Sequence, residues 1–130
     1  MSVVVGYVAS QEGRAALTAA IREAALRKTA LQIMGPLPGD GSAEAESDIR
    51  EAINAAAAAG VPAALRPNDG SDAADLMIDA SYDEEVELIV IGVRRRSPVG
   101  KLFLGSTAQR VILEAGCPVT AVKPDVGSRS

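Results

Sequence analysis

The stretch between Gly92 and Thr107 holds the residues best suited to bind an anion. Gly92 ends an apolar run, and its missing side chain would let a ligand come close to the backbone. Gly105, Ser106 and Thr107 stand where a helix is expected to begin. Free N–H groups and the helix dipole favour a phosphate at such a position, and two hydroxyls are available to help. This spacing would therefore suit a phosphate.

A basic segment lies between these two ends. Arg94, Arg95 and Arg96, together with Lys101, would add positive charge and hydrogen-bond donors. The alternative is that none of these residues binds a ligand: Gly92 is a turn residue, the arginines lie in a solvated loop, and the hydroxyl of Ser106 or Thr107 caps a helix. Residue types and spacing alone leave both interpretations open. A P-loop is excluded, because the glycine expected five residues before Gly100 is Arg95.

Other chemistry is excluded by what the 130 residues lack. The chain has no histidine and one cysteine, Cys117, so neither a Ser-His-Asp triad nor a metal site of His and Cys ligands can form within it. A net charge of −4 and 2% aromatic residues argue against a nucleic-acid surface. No run approaches the roughly 20 apolar residues of a membrane span. We therefore expect a cytoplasmic protein with no catalytic residue, no metal ligand, and no nucleic-acid or membrane partner.

The elements that must position these residues follow from hydrophobic periodicity. Short runs rich in Val, Ile and Leu alternate with longer segments of helical period. Strands are predicted at 3–7, 30–34, 62–66, 87–91 and 118–122, and helices at 11–28, 42–60, 71–82 and 104–115. The segment 92–101 is predicted to be a loop. The pattern indicates a single α/β domain over 3–123, a doubly wound five-stranded parallel sheet of order 3-2-1-4-5 with helices on both faces, and a disordered tail at 124–130.

In such a sheet, ligands bind at the carboxyl ends of the strands where the winding direction reverses. With this order, the crevice lies between the ends of strands one and four. Gly6, at the end of strand one, and Met34 and Gly35, at the end of strand two, are expected to border it. Tyr7 would either stack on a ligand's base or pack in the core.

Four sequence segments resemble the universal stress protein family. They are ELIVIG at 87–92, SPVGK at 97–101, LGSTAQ at 104–109 and CPVTAVK at 117–123, and the likeness extends over nearly the whole chain. The resemblance implies the same sheet order and a homodimer formed with the last strands, Val119 to Val122, side by side. A physical argument agrees, because those residues would otherwise form an uncovered apolar edge.

The resemblance also implies a nucleotide site, with two departures. Members that bind ATP carry a glycine, two residues, a second glycine, nine residues, and then glycine with serine or threonine. Gly92, Gly105 and Ser106 match this pattern, but Arg95 replaces the second glycine. Val8 stands where ATP-binding members place an aspartate that holds the ribose. The arginine would either block the phosphates or grip one of them.

The function expected from the sequence is that of a cytoplasmic stress-response homodimer that binds ATP or an AMP-like nucleotide between strands one and four. Gly92, Gly105, Ser106 and Thr107 would contact phosphates, assisted by Arg94 or Arg95; Gly6, Met34 and Gly35 would border the base. The alternative is a dimeric interaction module that has lost nucleotide binding, as Val8 and Arg95 would explain. An enzyme, a slow ATP hydrolase, is the least favoured interpretation because the chain has no histidine to act as a base.

A magnesium ion beside a triphosphate is a further expectation. Asp40, Glu44 and Glu46 could supply its carboxylate ligands. Their position at a predicted helix start explains them equally well, because the helix dipole favours acidic residues there.

Overall fold

The computed structural model describes residues 1–35, 42–66, 68, 70–95 and 102–124. Seven strands and four helices occur in these ranges. The strands are β1 (Ser2–Gly6), β2 (Ala30–Met34), β3 (Ala63–Arg66), β4 (Val86–Gly92), β5 (Arg94–Arg95), β6 (Leu102–Phe103) and β7 (Val119–Val122). The helices are α1 (Gln11–Arg27), α2 (Ala43–Ala58), α3 (Ala73–Ser81) and α4 (Ser106–Glu114).

Five strands form one parallel sheet of order β3-β2-β1-β4-β7. This is the predicted order 3-2-1-4-5, with β7 as the fifth strand, and the predicted doubly wound α/β fold is confirmed. The central strand β1 pairs with β2 on one side and β4 on the other. The carboxyl ends of β1 and β4, where the winding reverses, therefore lie next to each other.

The helices pack on both faces of the sheet, as predicted. Side chains of β1 alternate between the two layers: Val3 and Val5 belong to the apolar cluster that includes residues of α1 and α2, while Val4 belongs to the cluster that includes residues of α3 and α4. All three valines are fully buried. Continuous apolar strands suit a parallel sheet covered on both sides. Alanines dominate the inner helix faces, which lets the helices approach the strands closely.

Hydrogen bonds at the helix starts explain where three helices begin. The side chains of Ser10 and Ser42 accept from the backbone N–H three residues later, at 3.0 Å in each case. The side chain of Asp72 accepts from the N–H two residues later, that of Ala74, at 2.8 Å. These are the side-chain caps that such residues are expected to form.

The predicted loop at 92–101 is wrong in part. Arg94–Arg95 pairs with Leu102–Phe103 as a short antiparallel ribbon beside the main sheet. The last helix begins at Ser106, two residues later than the sequence indicates. The predicted disordered tail lies, apart from Pro124, outside the described residues. No helix in the described ranges combines the length and apolarity needed to cross a membrane.

Candidate functional site

A crevice of about 350 Å³ opens at the carboxyl edge of the sheet. Its walls come from the ends of β1, β2 and β4 and from the first turns of α3 and α4. Seven of the predicted site residues lie together in it: Gly6, Met34, Gly35, Gly92, Arg94, Gly105 and Thr107. Much of the remaining lining is apolar and includes Met77 and Ile91. Apolar walls with a few convergent polar groups are typical of small-molecule sites.

Two predicted residues do not join this group. Ser106 is exposed and opens α4, but it lies outside the residues that line the crevice. The backbone of Arg95 pairs with Leu102 in the ribbon. Its side chain, on which the phosphate interpretation depends, lies outside the described part of the structure, as do Arg96 and Lys101.

Packing explains why glycine stands at one position of the crevice, Gly92, but not at another, Gly105. A Cβ added to Gly92 would lie 2.3 Å from the carbonyl oxygen of Glu12, so the packing of α1 against β4 already requires glycine there. A Cβ added to Gly105 would meet no described atom within 4 Å. Its φ of −64° and ψ of 165° suit any residue. Neither packing nor backbone conformation among the described residues explains Gly105.

The start of α4 differs from the other three helix starts in the described ranges. Gly105 is its N-cap, and no side chain accepts a hydrogen bond from its first N–H groups. Gln109 makes the first intrahelical bond, to the carbonyl of Gly105 at 3.0 Å. None of the described residues accepts a hydrogen bond from the N–H groups of Ser106, Thr107 and Ala108, so an anion at the crevice could do so.

An ion pair that was not predicted lies at the mouth of the crevice. Arg94 Nε donates to Glu12 Oε2 at 3.1 Å, and the Glu12 side chain is only 15% exposed. Burial acts to raise the pKa of Glu12, but hydrogen bonds from its own backbone N–H, from Arg94 and from Ser10 outweigh burial, so the pKa lies below its ordinary value. Glu12 is therefore charged at neutral pH. The negative charge of Glu12 therefore already neutralises part of the positive charge of Arg94 that was predicted to assist a phosphate.

Tyr7 belongs to the core rather than to a stacking surface. Its side chain is 2% exposed and packs under α1 and α2. The hydroxyl donates to Asp48 Oδ2 at 2.5 Å. Burial first, and then the hydrogen bond and negative charge of Asp48, hold the Tyr7 pKa above its ordinary value. The packing interpretation of this residue is the one that the geometry favours.

The structure describes two of the three suggested magnesium ligands, Glu44 and Glu46. Asp40 lies outside the described residues. Glu44 is paired with Arg14 at 2.8 Å, and Glu46 is exposed at the start of α2. Within the described ranges, no group of three acidic, His or Cys side chains could hold a metal ion.

Two further residues line the crevice, the apolar Val8 and the polar Asn68. Val8, at the position of the ribose aspartate, lines it and is 56% exposed. Asn68 also lines it but is 5% exposed, and was not predicted from the sequence. One signal could have found it: a polar residue just beyond β3, at the same sheet edge as the other strand ends.

Comparisons with known proteins agree with the fold. A model described as the universal stress protein family matches residues 1–123. A universal stress protein of Mycolicibacterium smegmatis is 41% identical over 126 residues, which cover 94% of this chain and 97% of that protein.

Two solved structures are also similar. The universal stress protein from Archaeoglobus fulgidus in complex with dAMP has a TM-score of 0.67 and 27% identity, covering 95% of this chain and 98% of that one. A universal stress protein in complex with cAMP has a TM-score of 0.71 and 26% identity, covering 96% and 98%.

Proposed function

The chain belongs to the universal stress protein family, and we propose that it binds an adenine nucleotide in the crevice between the ends of β1 and β4. Two similar proteins are complexes with dAMP and cAMP, which share an adenine base and a phosphate. The crevice has matching parts: apolar walls for a flat base and free N–H groups for an anion.

The observation that carries this proposal is the start of α4. No described atom occupies the space where a side chain of Gly105 would stand, and no described side chain caps the helix that follows. A phosphate placed there would accept hydrogen bonds from the N–H groups of Thr107 and Ala108 and would be favoured by the helix dipole. The hydroxyls of Ser106 and Thr107 are close enough in sequence to assist. This assigns a role to a glycine that the rest of the described protein does not explain.

The base would lie toward β2, bordered by Gly6, Met34 and Gly35. Two backbone groups there are already engaged: Tyr7 N–H donates to the carbonyl of Met34 at 3.0 Å, and Gly35 N–H donates to that of Arg66 at 3.4 Å. The two engaged N–H groups would therefore not bind the base, and the apolar walls would contact its faces. Arg94 would assist the phosphate with the guanidinium N–H groups that Glu12 does not take, and Arg95 is proposed as a second donor.

A homodimer through β7 is part of the proposal. Ile89 N–H donates to Pro118 O and Val93 N–H to Val122 O, at 3.0 and 2.9 Å. Alternate residues of a strand present their hydrogen-bonding groups to the same side, so those of Val119 and Ala121 face away from β4. No other strand in the described ranges pairs with that side. A second copy would satisfy it.

The biological setting would be the response to stress, with the nucleotide as a bound signal and no catalytic residue assigned. The choice between ATP and AMP-like ligands, with or without Mg²⁺, belongs to the experiment below. The cytoplasmic location stays a prediction.

One observation favours the alternative, a dimeric interaction module without nucleotide. Val8 offers no hydrogen bond to a ribose, and Glu12 places a negative charge beside the proposed phosphate position. In a protein that does not bind nucleotide, neither Val8 nor the charge of Glu12 would carry a cost.

Thermal unfolding of the full chain decides between them. Samples with AMP, ATP, cAMP and GMP, each with and without Mg²⁺, are compared with buffer. A ligand at a hundred times its Kd stabilises the folded state by about 2.7 kcal/mol, which raises the Tm of a chain of this length by about 10 °C. A shift with an adenine nucleotide supports the proposal. No shift with any nucleotide at millimolar concentration would leave the interaction module.

A further inference from the structure

Two buried side-chain atoms in the described ranges have no hydrogen-bond partner, Asn68 Nδ2 and Glu87 Oε1, and the second lies 3.9 Å from the guanidinium of Arg27. The Oδ1 of Asn68 accepts from Gly70 N–H at 2.8 Å, but its Nδ2 is buried and has no hydrogen-bond partner among the described residues. The other two buried polar residues, Ser2 and Ser81, both have partners. An unpaired buried donor costs about 1–3 kcal/mol, so such a group calls for an explanation.

The position of Asn68 supplies one. The residue follows β3 and lines the crevice at the end bordered by Met34 and Gly35. Three strand spacings separate β3 from β4, which is about 14 Å. Asn68 and the start of α4 both line this one apolar crevice. The occupant that suits both carries an anion for the helix start and a hydrogen-bond acceptor for Asn68.

We propose that Asn68 reads the base of the bound nucleotide and selects adenine. Its Nδ2 donates to N7, and the second lone pair of Oδ1 accepts from the neighbouring amino group. This is the bidentate pairing that asparagine makes with adenine. Guanine presents acceptors at both N7 and O6, so Oδ1 would face an oxygen. The inference rests on the proposed nucleotide function and adds to it the residue that sets base specificity.

The experiment measures the binding of AMP, 7-deaza-AMP and GMP by isothermal titration calorimetry, first with the unaltered protein. Replacing N7 by a carbon removes one acceptor and leaves the phosphate and ribose unchanged. We expect 7-deaza-AMP to bind roughly 2- to 13-fold more weakly than AMP, the effect of one hydrogen bond. This comparison needs no altered protein, so it does not depend on whether a variant folds.

The variant Asn68→Ala then completes a double-change cycle. It should bind AMP more weakly by a similar factor and no longer distinguish AMP from 7-deaza-AMP. Asn54→Ala, the same substitution at an exposed site on α2, should leave both affinities unchanged. Equal binding of the two ligands by the unaltered protein, or discrimination that persists in Asn68→Ala, would overturn the inference while the nucleotide function stands. Absence of binding by every nucleotide would overturn both.

Discussion

Gly105 offers a perturbation whose effects on stability and on binding have opposite signs. Serine fits its φ and ψ, and the described structure leaves space for the side chain. Replacing a glycine under those conditions stabilises a protein by about 0.4–1 kcal/mol through the entropy of the unfolded chain. Serine is also the better N-cap by a few tenths of a kcal/mol. We therefore expect Gly105→Ser to be more stable without ligand by roughly 1 kcal/mol, a rise of about 4 °C in Tm.

Nucleotide binding should fall in the same variant. By analogy with Ser10 and Ser42, the new hydroxyl would accept from the N–H three residues later, that of Ala108, which the phosphate would otherwise use. Hydrogen bonds to charged groups contribute about 1.5–3 kcal/mol, so the affinity should fall roughly 10-fold or more. Scanning calorimetry without ligand and titration with AMP measure the two effects separately.

Gly92→Ala is the matched control. Its Cβ would fall 2.3 Å from a backbone carbonyl, so this variant should lose about 1–3 kcal/mol of stability. A Gly105→Ser protein that is less stable than the unaltered chain would refute the argument that the space is open. A stabilised Gly105→Ser protein that binds AMP as tightly as before would refute the assignment of the phosphate to α4.

Three further variants test contacts described above. Because the pKa of Glu12 is lowered by folding, its contribution to stability is complete well above the ordinary value of 4.5 and declines as the pH falls toward and through the folded value. Urea unfolding should therefore show a smaller deficit of Glu12→Gln at pH 3 than at pH 7. Tyr7→Phe should lose about 1.5 kcal/mol in urea unfolding at pH 7, because the half-buried carboxylate of Asp48 loses the donor from the buried hydroxyl and keeps only Arg14, at 3.4 Å, among its described donors. Ala121→Pro removes an N–H that faces away from β4, so analytical ultracentrifugation should show a folded monomer.

Each of these has an outcome that would contradict it. An equal deficit of Glu12→Gln at both pH values would show that the carboxylate contributes nothing through its charge. A Tyr7→Phe protein of unchanged stability would mean that the buried hydroxyl is replaceable by packing alone. For the dimer, Thr120→Pro is the control, because the N–H of Thr120 faces β4 and losing that hydrogen bond should unfold the strand. A dimer that survives Ala121→Pro would exclude pairing through β7.

The sheet could be predicted from the sequence because its signals are local. Val3 to Val5 and Leu88 to Ile91 are continuous apolar runs, and segments of helical period separate them from the other strands. Caps at Ser10, Ser42 and Asp72 mark helix starts by chemistry that acts over three residues. Right-handed crossovers then leave few possible orders for five parallel strands.

The features that escaped prediction depend on contacts between distant parts of the chain. The strands Arg94–Arg95 and Leu102–Phe103 are too short to show any period, and only their mutual pairing defines them. Glu12 meets Arg94 across 82 residues. Asn68 follows the edge strand, and nothing in its immediate sequence shows that it is buried. Gly92 has a packing reason that its own segment does not show, because the atom that forbids a side chain there belongs to α1.

The order of strands has a consequence for biosynthesis. β1 is made first but lies in the middle of the sheet, and Val5 pairs with Val90 at the far side of the chain. At synthesis rates of 5–20 residues per second, the gap of about 85 residues takes roughly 4–17 s. Until β4 emerges, the nascent sheet can have only β2 and β3 beside β1, and the other edge of β1, with its three consecutive valines, is unpaired. During those seconds the growing chain is a template for aggregation and a natural client for chaperones.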